Sequence, residues 1–126
     1  MSRVDAIRAR AQSRLRANAD VLYRHQGVFT HTQNGRQREY SCRFSVEDPV
    51  KANRDQIAAA QAFAAGESVG FRDVRELQVH PDDPRPPEGA VLTTPASWDG
   101  GRLEVRSWSQ DDDFTGQAVG FCILRR

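Results

Sequence analysis

The amino-acid sequence predicts a small, mainly β (α+β) domain: an antiparallel β-barrel or sandwich with an N-terminal α-helix and one long insertion between strands. Three observations predict it. Asn34-Gly35 sits between two runs rich in β-formers, the signal for a tight hairpin. From Gln37 to Val46 the residues alternate, with Arg38, Tyr40, Cys42, Phe44 and Val46 on one face and Glu39, Ser41, Arg43 and Ser45 on the other. About six short strand-like runs follow an amphipathic opening, interrupted once by the alanine-rich stretch 50–68.

The elements follow in chain order. Val4, Ile7, Ala11, Leu15 and Ala19 recur at steps of three and four, so residues 1–19 read as an amphipathic helix. Ser2 stands as its N-cap, with Asp5 three residues on. Its stripe is narrow and partly alanine, which predicts that it docks on something else. Residues 20–46 form the hairpin, with Val21–Arg24 and Val28–Thr32 separated by a break at Gly27. Residues 47–68 are the insertion. Asn53 or Asp55 would cap a helix over Gln56–Ala65, with Gly66 ending it. Residues 69–126 supply the remaining strands. Val69–Val79 is the first, with Val69 and Phe71 alternating. The loop His80–Gly89 holds four of the six prolines. Ala90–Thr94 is a short strand, and Pro95–Gly101 a turn. Arg102–Ser109 alternates, with Leu103, Val105 and Ser107 opposite Glu104, Arg106 and Trp108. Gln110–Gly116 is a hairpin connection. The last strand is Gln117–Arg126, whose apolar run predicts burial on both faces.

Composition bounds the function. The 126 residues make one domain, and 38% hydrophobic residues make a modest core. No run approaches the roughly 18 apolar residues of a membrane span, and no N-terminal segment has signal-peptide character. Two cysteines exclude a disulfide scaffold. The net charge is +1, but residues 1–46 carry +6 and residues 47–126 carry −5. A chain polarised in this way can meet its copies head to tail, or the two halves can interleave on the folded surface. Arginine outnumbers lysine 17 to one. That ratio suits buried carboxylate or phosphate contacts, and equally reflects a GC-rich coding sequence.

No catalytic motif is present: no nucleophile elbow, Walker loop or dinucleotide fingerprint. His25, His31, His80, Asp82 and Asp83 lack metal-ligand spacing, and Asp111-Asp112-Asp113 reads as a polar hairpin tip. No cofactor is expected. Cys42 and Cys122 read as buried structural thiols. Glu47-Asp48 and Asp82-Asp83 flank prolines and read as solvated turn acids. Of Trp98 and Trp108, one should pack in the core and the other lie at an exposed rim. Arg3, Arg8, Arg10, Arg14 and Arg16 of the N-terminal helix are open to three readings: a solvated face, contact with phosphates, or contact with an acidic neighbour.

The order of these elements resembles the small head-tail joining (head-completion or stopper) proteins of long-tailed bacteriophages. The resemblance is most specific over residues 70–126. There a glycine-led strand at Gly89–Thr94 precedes the alternating Arg102–Trp108, the Asp/Gly hairpin Asp111–Gly116 and a last strand closing on Ile123-Leu124-Arg125-Arg126. It implies a non-enzymatic virion protein of the neck, made in the bacterial host cytoplasm. Such a protein forms a ring, commonly a hexamer of itself, between the portal or adaptor protein and the tail terminator or tail tube. The ring would close the portal channel on packaged DNA without sequence-specific contacts and offer the tail its attachment surface. Under this reading Lys51, Arg54, Gln56, Ile57 and Phe63 belong to the channel or partner loop, and the five helix arginines face an acidic partner. A tail terminator or minor tail protein is the neighbouring alternative. A small nucleic-acid-binding regulatory domain is the alternative from another class.

Overall fold

The computed structural model describes residues 6–7, 23–49, 54–109 and 118–126. Six antiparallel strands close into a barrel: β1 (His25–Gln33), β2 (Arg36–Glu47), β3 (Val74–Val79), β4 (Val91–Thr94), β5 (Arg102–Trp108) and β6 (Gly120–Arg125). Their order around the wall is β1-β2-β3-β6-β5-β4. Of the two predicted architectures the barrel is the one formed, because β1 returns to pair with β4 at Val28↔Thr94 and Phe29↔Leu92. Closure gives every strand two neighbours around the wall. The predicted N-terminal helix falls almost wholly outside the described residues, of which Ala6 and Ile7 are helical. The connection Gln110–Gly116 also lies outside them.

The hairpin forms where Asn34 and Gly35 require it. Both have positive φ, 53° and 76°, the pair that a type I′ turn needs. The register runs from Gln33↔Arg36 back to His25↔Phe44. Gly27 does not break the strand as expected; β1 runs through it. A Cβ there would collide with the Thr94 carbonyl oxygen and crowd Phe44 Cε1 at 3.1 Å. The glycine is therefore what lets β4 approach β1.

The insertion contains α1 (Arg54–Glu67), longer at both ends than the sequence suggests. Asp55 lies inside it, and Asn53 lies outside the described residues. Gly66 does not stop it. The left-handed residue is Ser68, at φ 56°. Val69 N–H donates to Ala64 O at 3.0 Å and Ser68 N–H to Ala65 O at 3.3 Å. That is a Schellman close, with Val69 packed in the same cluster as Ala64. Val69 and Phe71 consequently belong to the helix's packing and not to a strand. A 3-10 turn, Phe71–Asp73, follows, and β3 starts only at Val74.

The main core fills the barrel: Phe29, Cys42, Phe44, Leu77, Val79, Ala90, Leu92, Leu103, Val105, Cys122 and Leu124. Phe29 and Phe44 meet edge to face at 5.4 Å. A smaller cluster lies outside the wall, where Ala60 and Ala64 of α1 cover Val74, and Phe63 stacks on Phe121 at 5.1 Å. β6 is thus buried on both faces, as its apolar run predicts. Each fully buried Phe, Leu or Val stabilises by about 1.5–3 kcal/mol, so the barrel dominates and α1 is an appendage.

β5 departs from its predicted alternation. Its register with β6 shifts between Val105 and Ser107. This bulge turns Trp108 onto the face of Leu103 and Val105, where it packs against the core. Gly120 accommodates the ring, since a Cβ there would lie 2.9 Å from Trp108 Cζ3. Trp108 Nε1–H donates to Pro86 O at 2.8 Å, and Arg85 lies over the ring at 5.0 Å. Trp98 also packs against the core, edge-on to His25 at 4.8 Å. Both tryptophans are half-buried, so the expected division between core and rim does not hold.

Candidate functional site

Of the residues singled out from the sequence, the described ones all lie on α1. Arg54 opens α1 and is exposed; Ile57 is half-buried on it, and Gln56 lies within it. Phe63 is committed to the stack on Phe121, which fastens α1 to the barrel. Lys51 and the five arginines Arg3, Arg8, Arg10, Arg14 and Arg16 lie outside the described residues.

The buried titratable groups are structural. Burial pushes the Cys42 thiol up to about 12, with the Asp83 charge adding to the effect, and raises Cys122 further. Both stay protonated at neutral pH and are poor nucleophiles. Burial also raises the Tyr23 phenol, whose ring packs on His80 at 5.5 Å. Asp83 is no solvated turn acid. Arg43 grips it through Nε at 2.9 Å, Nη2 at 3.0 Å and its backbone N–H at 2.8 Å. The bidentate guanidinium pulls its carboxyl down to about 2. Arg75, 6% exposed, donates to Arg72 O and Val74 O and pairs with Asp99 at 3.3 Å. Glu76 is 5% exposed, and its carboxyl is raised by burial and by Glu47 opposite it. Among the described residues no three His, Cys, Asp or Glu side chains group as a metal site. No described helix is long and apolar enough to cross a membrane.

Two surface grooves lie among the described residues. One, of about 590 Å³, runs past Val91, Gly101, Arg102, Glu104 and Arg125. It holds a carboxylate of its own, Glu104, which lies 2.9 Å from Arg125 Nε. The other, of about 630 Å³, lies along the outer part of the β1–β2 hairpin. His31, Gln33, Arg36, Arg38 and Tyr40 line it, with Pro87 of the proline-rich loop across from them. It is basic and carries no carboxylate.

Sequence reasoning passed over this second groove. Its signal was present: Arg36 and Arg38 stand two apart on a strand, on the face of Tyr40 and beside the Asn-Gly turn. What the sequence does not reveal is that the paired strands outrun the barrel. β1 meets β4 only as far as Thr30, and β2 meets β3 only from Phe44. Beyond those points the hairpin is a two-stranded ribbon, and residues 32–39 are exposed on both faces. No protein-family model, curated protein or solved structure matches the chain.

Proposed function

We propose that the protein is a structural subunit of the head-tail junction of a long-tailed bacteriophage. In this role it forms a ring, of six copies, that closes the portal channel after packaging and receives the tail. The observation that carries the reading is a body complete inside and unfinished outside. The barrel is closed and filled, yet its β1–β2 ribbon projects with no packed face. A two-stranded ribbon alone is only marginally stable in water, so a neighbour that covers it stabilises it. The order of the elements and the opposed charges of the two halves of the chain support the same reading.

In this role the partners are copies of the chain, the portal or adaptor ring on one side and the tail terminator or tube on the other. DNA threads the channel without being read. α1, laid on the outer wall with Arg54 exposed, is the segment offered to the channel or a partner. No covalent step is required. The test is deletion of the gene from the phage that carries it, with mass spectrometry of purified wild-type particles. The expected result is tailless heads that lose their packaged DNA, and the protein present in wild-type virions at a few copies per particle. Normal titre after deletion, or absence of the protein from virions, overturns the proposal. Cross-linking then separates a stopper, bound to the portal side, from a terminator, bound to the tail tube.

A further inference from the structure

The face of the β1–β2 ribbon changes character where it leaves the barrel. Inside, the inward positions are Gly27, Phe29, Cys42 and Phe44. Further out the same face carries His31 opposite Arg38 and Gln33 opposite Arg36, with Tyr40 at the boundary. Period-two alternation puts all of these on one side. The reverse side bears Thr30, Thr32, Gln37, Glu39 and Ser41, one acid and no base.

Arg36 and Arg38 also differ from five other arginines among the described residues. Arg43, Arg75, Arg106, Arg125 and Arg126 each meet an aspartate or glutamate of the same chain. Arg36 and Arg38 meet none among the described residues, and none lines their groove. Two guanidinium groups side by side on one strand face repel each other. An anion seated between them reverses that term, and each planar fork can take a carboxylate through two hydrogen bonds.

We propose that this groove docks an acidic segment of a partner protein, whose carboxylates are taken by Arg36 and Arg38. The charge of the rest of the molecule selects a peptide over a nucleic acid. A duplex polyanion is held by a broad basic field, whereas this chain has a net charge of +1 and a pI near 7.9. A short acidic segment needs only the groups in the groove. Tyr40 and Pro87 give the apolar contact that interface arginines commonly accompany. The inference goes beyond the neck role, because it concerns the chemistry of one groove and holds whether or not the protein resides in a virion.

The test uses the full chain and a fluorescent peptide of alternating Asp and Ser. Anisotropy is measured at about 50 mM salt, where surface charges are weakly screened, and amide shifts are followed by NMR. Saturable binding is expected, with shifts confined to the ribbon and Pro87's neighbours. Arg36→Gln with Arg38→Gln is expected to weaken it at least about tenfold. Arg102→Gln, in the other groove, is expected to leave it unchanged, and an Asn-Ser peptide is expected not to bind. The substituted side chains are exposed, and amide dispersion reports that each variant folds. Absence of shifts at millimolar peptide overturns the proposal, as does equal binding by the double variant. Tighter binding of a short DNA duplex than of the peptide at the same salt also overturns it and makes nucleic acid the occupant. None of these outcomes bears on whether the protein is found in particles.

Discussion

Asp83 and Glu76 are two carboxyl groups moved in opposite directions by their surroundings. The Arg43 fork lowers Asp83 to about 2. A lowered acid contributes stability that is whole above its unfolded value, near 4, and is lost as pH falls through the folded one. Asp83→Asn is therefore expected to cost about 1–2 kcal/mol at pH 7, held to that range because Arg43 is partly in water. The cost should shrink between pH 4 and 2, as urea midpoints across that range would show. Glu76 has the reverse sign. Burial and Glu47 raise it, so the folded state holds the proton longer and stability falls as pH rises past the unfolded value. Glu76→Gln is expected to raise the urea midpoint at pH 7 and to leave it nearly unchanged at pH 4. Neither effect was legible in the sequence. Asp83 stands beside a proline in a loop, and its partner is forty residues away.

Hairpin, helix and bulge show what decides an element. Asn34-Gly35 specifies its turn by local chemistry alone, and β2 alternates as written, so both were legible. The end of α1 was not. Gly66 offered the better stopping residue, but the left-handed position falls at Ser68, where Val69 can fold back onto Ala64. A left-handed non-glycine residue costs about 1–2 kcal/mol. Ser68→Gly is accordingly expected to stabilise by about 1 kcal/mol, read from denaturant midpoints at unchanged m. The Trp108 face was hidden for a similar reason: a bulge at Arg106 follows from pairing with β6, not from β5 itself. Gly27 was misread as a breaker because its role is a close approach by β4, more than sixty residues away. Gly27→Ala is expected to cost about 3 kcal/mol by forcing that backbone apart. Loss of protection at the β1 and β4 amides would locate the damage.

At the scale of the molecule, barrel and helix should behave as unequal units. The interior cluster spans all six strands, while α1 is held by Ala60, Ala64 and the Phe63 stack. Local opening follows the thinner contact. α1 amides are expected to exchange much faster than those of Phe44, Leu77 and Val105. Phe63→Ala should speed exchange in α1 further and leave the barrel amides as they were; an equal acceleration across both would show a single cooperative unit. Strand number and the insertion were legible from spacing. Closure was not, since the β1–β4 seam joins segments with no local sign of one another. Nor was the ribbon site, whose meaning depends on which carboxylates fail to reach it. The chain departs β2 at Glu47 and rejoins at β3 with Glu76 directly opposite. For the wall, everything between is the excursion of an ordinary hairpin. The length of the span 48–73 can thus vary while the staves keep their alignment, provided that Val74 and Phe121 stay covered.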